Sequence, residues 1–252
     1  MKMVAASRLP RAQNAMRSAK VYGQANNAVF EQSEVTKSEQ DVKKLLYIVT
    51  SSDRGLCGGI HSSVAKFTKR DIESGEGQGK DVTVIAVGDK PKQQLQRGAL
   101  VNDMALSFSG IGKTVPTFAD ALAIADKIES ENIEFDKIKI VYNKFVSVIS
   151  YEATVLEVYP NKALQGSTGF AAYEVEGDEL SGDLSAFALA NAIYAALVES
   201  HASEISARRN AMDNASKNSD EMIDKLSMQF NRMRQAAITN ELVDIITGAS
   251  AL

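Results

Sequence analysis

The C-terminal part of the chain carries an uninterrupted helical pattern of apolar positions. Residues 183–252 contain no proline and a single glycine, Gly248. Within them, certain positions recur at alternating intervals of three and four, which is the spacing of a heptad seam. The seam positions are Leu184, Phe187, Asn191, Tyr194, Val198, His201, Ile205, Arg208, Met212, Ala215, Ser219, Met222 and Leu226. The pattern predicts one long helix that packs along this seam against another helix.

Polar residues interrupt the seam, and its rhythm fails near the end of the chain. Polar side chains at seam positions weaken packing but help to fix register and partner, so we interpret them as register-setting residues rather than ligands. They are Asn191, His201, Arg208 and Ser219. Beyond Leu226 the apolar residues spread around the helix, and the tip is therefore expected to be enclosed by other chains. These residues are Phe230, Met233, Ile238, Leu242, Ile245 and Ile246.

The N-terminal region predicts a second long helix over about residues 1–40, which are rich in good helix formers. Pro10 removes one backbone hydrogen bond and is expected to kink or interrupt the first turns. A repeat of fours and threes runs through Arg11, Ala15, Ser18, Tyr22, Ala25, Val29, Gln32 and Thr36. Both terminal helices join the same central region, so we expect them to run antiparallel. The first should cover residues 183–224 and leave the tip without a partner in this chain.

Between the terminal helices, strands alternate with helices. Short runs rich in β-branched residues predict five strands, at 45–50, 82–88, 100–108, 138–144 and 151–159. Helices are predicted at 60–73, 91–97 and 116–131. Because only a few residues separate the last two strands, they should form an antiparallel pair at one edge of a mainly parallel sheet.

The predicted fold class is therefore α/β. It combines a long antiparallel coiled coil of the N- and C-terminal helices with a Rossmann-like open α/β domain of about five strands. The predicted domains are the N-terminal helix 1–43, the α/β domain 44–160, a connecting loop 161–182 and the C-terminal helix 183–252.

Charge and composition narrow the function. The chain of 252 residues has a net charge of -4, which argues against a general nucleic-acid binder. The first twenty residues nevertheless hold five basic residues and no acidic one, so this end should prefer acidic partners. No apolar run approaches the length of a transmembrane helix. Cys57 is the only cysteine, so no intrachain disulfide can form, which fits a reducing compartment.

Three segments resemble catalytic or nucleotide-binding motifs, but each lacks a feature that the motif requires. Residues 107–114 look like a phosphate-binding loop, but Ser107 occupies the place of the first glycine. The glycine-rich residues 75–79 follow a helix rather than a strand, unlike a dinucleotide fingerprint. With only His61 and His201 in the chain, a thiol triad around Cys57 is not expected. We predict no catalytic residue, no metal site and no cofactor.

Five blocks of sequence together resemble one protein family. They are ITNELVDIITGA at 238–249, FNRMRQA at 230–236, MKMVAASR at 1–8, DRGLCGG at 53–59 and RNAMDNA at 209–215. In their residues and in their order along the chain, these blocks are similar to those of the gamma subunit of F-type ATP synthase. Their sequences resemble mitochondrial, fungal-like members more closely than bacterial ones. Members of the family carry further residues before the first block, so the given chain is expected to lack an N-terminal segment.

The resemblance implies a rotor shaft with no active site of its own. In this family the terminal helices rise through a hexamer of alternating alpha and beta subunits. The α/β domain sits on the membrane c-ring, beside the delta and epsilon subunits. Coupling of proton-driven rotation to ATP synthesis is the implied function, and peripheral attachment through the c-ring is implied. The location implied is the matrix side of the mitochondrial inner membrane, with the cytoplasmic side of a bacterial plasma membrane as the alternative.

The resemblance also implies residue roles. Arg234 and Gln235 match positions that contact a catch loop of the beta subunit, with Thr239 and Glu241 close by. Lys2, Arg8 and Arg11 would face acidic beta-subunit segments, although for Arg8 and Arg11, as for Arg17 and Lys20, a solvated helix face explains the charge equally well. Asp53, Arg54, Gly55, Gly58 and Gly59 are interpreted as a structural turn that packs against the coiled coil. Residues 170–176 are the candidate contact with the c-ring.

Two other function classes remain open at this point. One is a separate α/β enzyme or nucleoside triphosphatase that uses Lys113 and Thr114, which measurable nucleotide turnover by the purified chain would support. The other is a coiled-coil scaffold, which predicts a stable homodimer, whereas a rotor is present as a single copy in a hetero-oligomer.

Overall fold

The computed structural model of the chain describes residues 1–32, 42–97, 103–131, 133–160 and 178–251, and for residues 24–32 and 178–181 it describes the backbone alone. The predicted end of the first helix near Gln40, the candidate c-ring contact at 170–176 and most of the predicted loop 161–182 lie outside this part. The division into four domains remains a prediction.

A five-stranded sheet forms the centre of the fold. Its strands are β1 (Lys44–Thr50), β2 (Asp81–Val87), β3 (Met104–Phe108), β4 (Lys137–Ser147) and β5 (Ser150–Val158). Their spatial order is β3-β2-β1-β4-β5. All neighbours pair in parallel except β4 and β5, which are antiparallel. The prediction of a mainly parallel open sheet with one antiparallel edge is confirmed.

Five helices accompany the sheet in the described residues. They are α1 (Lys2–Gln32), α2 (Ile60–Ser74), α3 (Asp89–Leu95), α4 (Phe118–Ser130) and α5 (Asp178–Ser250). The expectation that Pro10 interrupts the first helix is wrong, because α1 is continuous through it. The backbone bond lost at Pro10 is offset by packing on both sides of it, since Leu9 and Ala12 are buried against α5 residues Ala202 and Ile205.

The sheet is covered on both faces. On one face, the first apolar cluster joins strand residues such as Ile48 and Ile140 to Ile124 of α4 and to Ile193 and Leu197 of α5. On the other face, the alternate strand residues, such as Leu45 and Val84, pack against Val64 and Ala65 of α2 and form the second cluster. The first half of α5 is therefore part of the three-layer α/β core as well as a coiled-coil partner.

The face that α1 buries differs from the predicted seam. Arg11 and Ser18 are exposed, and Tyr22 is 66% exposed. The residues buried instead share small or aliphatic side chains at helical spacing: Ala5, Leu9, Ala12 and Ala19. The seam is displaced by about one position because this face lets the helices approach closely, while the charge of Arg11 stays in water.

Burial along α5 is wider than a seam and ends earlier than expected. Nearly every residue in 188–207 is buried, whereas every residue from 214 to 251 is exposed. The antiparallel register is set by Asn191, whose side-chain amide donates to the carbonyl of Tyr22, and by close approach of Gly23 to Ala195. This register aligns α1 with an earlier part of α5 than predicted, so the expected cover up to residue 224 is wrong.

The chain divides into two compact units, Met1–Asn210 and Ala211–Leu252. The first contains α1, the sheet, the shorter helices and the buried part of α5. The second is the remainder of α5, and we describe it by itself as the tip (residues 211–252).

Candidate functional site

The tip presents a long apolar helix surface to solvent. Met233 is 72% exposed, Phe230 66% and Ile245 66%. The other large apolar residues exposed here are Met222, Ile223, Leu226, Met228, Ile238, Leu242, Val243 and Ile246. Exposure of so many large apolar side chains along one helix indicates a site of interaction with another macromolecule.

The four predicted contact residues of the tip lie on one side of the helix. Arg234, Gln235, Thr239 and Glu241 are all exposed. The Thr239 hydroxyl donates to the carbonyl of Gln235 at 2.8 Å, one turn earlier. Arg234 and Glu241 are seven residues apart and so lie nearly above one another. The four side chains therefore form two neighbouring exposed pairs, Arg234 with Glu241 and Gln235 with Thr239, within about half of the helix circumference.

The predicted basic residues of α1 lie at exposed positions. Lys2, Arg8 and Arg11 are exposed, whereas the intervening Ala5 and Leu9 are buried. Exposure of these three positions is compatible with a contact between α1 and an acidic partner.

The turn at residues 53–59 holds three loops together at the carboxyl edge of the sheet. The carboxylate of Asp53 accepts hydrogen bonds from the backbone N–H of Asp89 at 2.8 Å and of Gly110 at 2.6 Å. The N–H of Asp53 donates to the carbonyl of Ile111 at 3.2 Å. Asp53 therefore links the loop after β1 to the start of α3 and to the loop after β3.

The glycines of this turn have different roles. Gly58 has φ +66°, a left-handed conformation that other residues adopt at a cost. Gly59 immediately precedes α2. At Gly55 an added Cβ would meet nothing within 4 Å, and the contribution of Gly55 is its carbonyl, which accepts a hydrogen bond from Nε of Arg208 at 3.3 Å. The backbone of Leu56 has φ +63°, a strained conformation for a residue other than glycine. Its apolar side chain is 62% exposed to solvent.

Beneath the turn, a histidine contacts the cysteine, which the sequence interpretation did not anticipate. Nε2 of His61 lies 3.0 Å from Sγ of Cys57 and 2.8 Å from the carbonyl of Arg54. Nδ1 of His61 lies 2.7 Å from the hydroxyl of Ser51. The i, i+4 spacing of Cys57 and His61 across the start of α2 was the available signal.

The electrostatics of this contact do not favour thiol chemistry. Burial, together with the nearby carboxylate of Glu204, raises the pKa of the Cys57 thiol to about 11. Burial also lowers the pKa of His61, so the imidazole is neutral at physiological pH. Since the thiolate is the nucleophilic form, the group acts as a hydrogen-bonded core contact that shapes the turn.

Comparison with known proteins decides the family. A family model described as ATP synthase matches residues 1–252. The chain is 52% identical over 255 residues to the mitochondrial ATP synthase subunit gamma of Yarrowia lipolytica, a match that covers 100% of this chain and 85% of that protein. It is 44% identical over 252 residues to the subunit gamma of the Rattus norvegicus mitochondrial ATP synthase F(1) complex, covering 100% of this chain and 92% of that protein. The chain belongs to the ATP synthase gamma-subunit family.

A solved structure agrees with this assignment. The fold is similar, with a TM-score of 0.71 and 29% identity, to a chain in the cryo-EM structure of the Tetrahymena thermophila mitochondrial ATP synthase central stalk and c-ring. The match covers 86% of this chain and 97% of that chain. Gamma-family chains are subunits of the ATP synthase complex, and the complex is the enzyme.

The apparent phosphate loop of this gamma-family chain has the wrong local structure. Gly112 packs its backbone against Ser52, and α4 begins only at Phe118. A phosphate-binding loop instead leads directly into a helix, whose first N–H groups bind the phosphate. Among the described residues, no cluster of three or more histidine, cysteine or acidic side chains could hold a metal ion. In the same part of the chain, no helix is long and apolar enough to span a membrane.

A buried ionic network at the amino edge of the sheet also escaped the sequence interpretation. Lys139, whose side chain is 4% exposed, contacts Asp71 at 2.8 Å and Glu76 at 2.7 Å. Lys137 contacts Glu76 at 3.0 Å and Glu157 at 2.9 Å. Burial raises the pKa of Glu76, but the two lysines lower it by more, to about 2. The alternation of lysine with isoleucine at 137–140 was the signal for a strand with one charged face.

Proposed function

We propose that this chain is the central-stalk rotor subunit of an ATP synthase. It couples proton-driven rotation of a membrane c-ring to the conformational cycle of catalytic beta subunits, and it contributes no catalytic residue itself. The single observation that carries this function is the tip: an uncovered helix from residue 214 to 251, roughly 55 Å long at 1.5 Å per residue, with large apolar side chains around it.

The physical argument runs from shape to coupling. A single helix enclosed by three equivalent pairs of alpha and beta subunits cannot present the same surface to each pair. The free-energy difference between the open and closed forms is then not the same for the three beta subunits. As the helix rotates, the form that is favoured changes in each beta subunit in turn. Membership of the ATP synthase gamma-subunit family supports this assignment.

Partners and location follow from the same proposal. The tip is enclosed by the alpha and beta subunits, and the α/β domain binds the delta and epsilon subunits and the c-ring. The named relatives are mitochondrial, which supports the matrix side of the mitochondrial inner membrane as the location, with attachment through the c-ring.

Within the tip, Arg234 and Gln235 are proposed to bind a beta-subunit catch loop, with Thr239 and Glu241 beside them. A guanidinium pairs with a carboxylate directionally, so the contact can break and re-form at each step. Lys2, Arg8 and Arg11 are proposed to register the shaft against acidic beta-subunit segments. Asp53, Arg54, Gly55, Gly58 and Gly59 are proposed to form a structural turn.

Stoichiometry tests the function. Native mass spectrometry of the purified assembly should find one copy of this chain with three alpha and three beta subunits. A stable homodimer without those subunits would favour a coiled-coil scaffold. Nucleotide turnover by the purified chain alone would favour an independent enzyme.

The contact surface is tested by Arg234→Ala combined with Gln235→Ala. Assembly should be retained, while coupled ATP synthesis falls by about tenfold, because a charge-assisted contact that is made and broken during rotation is lost. The control is Lys225→Ala, which removes a positive charge from an exposed position of α5 nine residues before Arg234. Equal losses in both variants, or unchanged synthesis in the double variant, would remove the assignment.

A further inference from the structure

Glu204 is a carboxylate buried in the middle of α5. It is 3% exposed, and its neighbours Ser203 and Ile205 are also buried. An ionised carboxylate in such a place is costly unless other groups compensate for the lost water. Burial raises the pKa of Glu204, but His201 and Arg208 outweigh this effect and the net shift is downward. Glu204 is therefore ionised at neutral pH.

The partners of Glu204 connect α5 to the turn at 53–59. Its Oε1 accepts a hydrogen bond from Nη2 of Arg208, one turn later on α5, and its Oε2 lies 3.7 Å from Nδ1 of His201. The same guanidinium donates from Nε to the carbonyl of Gly55 at 3.3 Å. A carboxylate, a guanidinium and a main-chain carbonyl thus form one continuous path from the helix to the turn.

The loop after β3 meets the same carboxylate. A Cβ added to Gly112 would lie 3.1 Å from Oε2 of Glu204 and 2.8 Å from Cβ of Ser52. Gly112 has φ +89°, so glycine is needed here for conformation as well as for space. Two loops from the carboxyl edge of the parallel sheet therefore converge on a single residue of α5.

Other hydrogen bonds hold the same stretch of α5 to the β4–β5 hairpin: the Ser203 hydroxyl donates to the carbonyl of Asn143 at 2.9 Å, and the Asn210 amide donates to the carbonyl of Val148 at 2.8 Å. The buried residues of α5 around Glu204 are mostly small, including Ala202, Ser206 and Ala207, and Ala207 packs against Cys57 and Ile60. On the side that faces the turn at 53–59, by contrast, the apolar contact of α5 is made by the small side chain of Ala207, which by itself does little to fix the rotation of the helix there. Directional charged contacts specify one register, which is the best attested use of buried polar groups in helical assemblies.

We infer that Glu204 is a positioning residue for rotary coupling. Together with Arg208 it fixes the rotational register of α5 against the turn at 53–59, so that a twist applied to the sheet passes into the helix without slippage at this contact. The inference rests on the proposed rotor function, because only a shaft under load needs this contact to resist twisting.

The test uses the whole assembled synthase carrying Glu204→Gln, which keeps the size of the side chain and removes its charge. The readouts are the amount of assembled complex, ATP hydrolysis without load, ATP synthesis at a fixed proton-motive force, and the torsional stiffness of single rotors. ATP synthesis per assembled complex should fall about threefold or more, and the rotor should become softer, while unloaded hydrolysis stays near that of the parent. Asp183→Asn, an exposed acidic residue on the same helix, is the control and should change none of these.

Further variants keep the inference open to refutation. Arg208→Lys retains the charge but loses the planar fork, so it should lower the same ratio of synthesis to hydrolysis; it decides the matter if Glu204→Gln does not assemble. Glu204→Gln combined with Arg208→Gln should be no worse than the more impaired of the single variants Glu204→Gln and Arg208→Gln, because the pair acts as a unit.

Two results would overturn the inference about Glu204, and a third would overturn the proposed function itself. Synthesis and hydrolysis that fall together, in step with the amount of complex, would show a structural role only. An unchanged ratio and unchanged stiffness would show no role in coupling. If the chain is missing from the purified synthase, the proposed function itself fails, and this outcome is distinguishable because it appears in the parent protein as well as in the variants.

Discussion

Two stretches of the same helix have opposite surroundings. Residues 188–207 of α5 are almost completely buried within the unit Met1–Asn210, and residues 214–251 are exposed throughout. Both stretches are rich in apolar side chains and free of proline. Hydrophobicity therefore predicts that each stretch is a helix with something to pack against, but it does not tell whether the partner is the same chain or another one.

Side-chain size distinguishes the two stretches. The buried stretch is dominated by alanine and serine, which let a sheet and two helices come close to α5. The exposed stretch carries methionine, phenylalanine, isoleucine and leucine around its circumference. Close approach of fixed elements requires small residues, whereas a surface that meets different partners in turn gains from large and adaptable side chains such as methionine.

The largest expected effect comes from trimming one isoleucine in each stretch. Ile193→Ala should lower the free energy of unfolding by about 2–4 kcal/mol, because Ile193 is fully buried in the first apolar cluster and the change leaves a cavity. Ile223→Ala should change it by less than about 0.5 kcal/mol, since Ile223 is 60% exposed. Urea unfolding of the isolated chain measures both, and similar losses would contradict the difference in burial.

A smaller effect is expected from adding a methyl group to a glycine in each unit. Gly88→Ala should destabilise the chain by about 1–3 kcal/mol, because φ is +112° and the new Cβ would lie 3.0 Å from backbone atoms of Ser52. At Gly248, which lies in α5, an added Cβ would meet nothing within 4 Å. Gly248→Ala should therefore stabilise the helix by up to about 1 kcal/mol. Thermal unfolding followed by circular dichroism would reveal the opposite signs, and equal signs would refute the comparison.

The smallest effect concerns acid stability and belongs to the sheet-containing unit. The pKa of Glu76 is about 2 in the folded chain, below its ordinary value of 4.5. A depressed pKa contributes stability above the ordinary value, and this contribution is lost as pH falls from about 4.5 towards 2. Because the Glu76 side chain is 36% exposed, solvent screening limits the contribution to about 1 kcal/mol.

The variant Glu76→Gln checks this contribution. It should be less stable than the parent at pH 7 and should lose less stability than the parent between pH 5 and about pH 2.5. Asp220→Asn, at an exposed position of the tip, serves as the matched control and should leave the pH dependence unchanged. A parent-like pH profile for Glu76→Gln would contradict the ionic network as its source.

The sheet could be predicted from the sequence because its signals are local. The β-branched runs mark each strand, and the short link before Ser150 requires an antiparallel pair. Family resemblance located the tip residues Arg234 and Gln235, which no periodicity would have distinguished from other exposed polar residues. Their role stays a prediction.

The misses arise where distant elements decide the outcome. The buried face of α1 depends on how closely it approaches α5, so the spacing that included Arg11 was misleading. Glu204 resembles any helical glutamate in sequence, and only the loops around Gly55 and Gly112 give it a special place. Considered from the sequence alone, Pro10 predicts an interruption of α1, yet packing of the neighbouring residues against α5 maintains the helix.

The central claim is that the tip is covered by other subunits and not by its own chain. Amide hydrogen exchange, compared between the isolated chain and the assembled synthase, tests it most directly. Residues 188–207 should be protected in both samples, and residues 214–251 should exchange rapidly in the isolated chain and become protected in the assembly. Strong protection of residues 214–251 in the isolated monomer, or no gain of protection on assembly, would contradict the account.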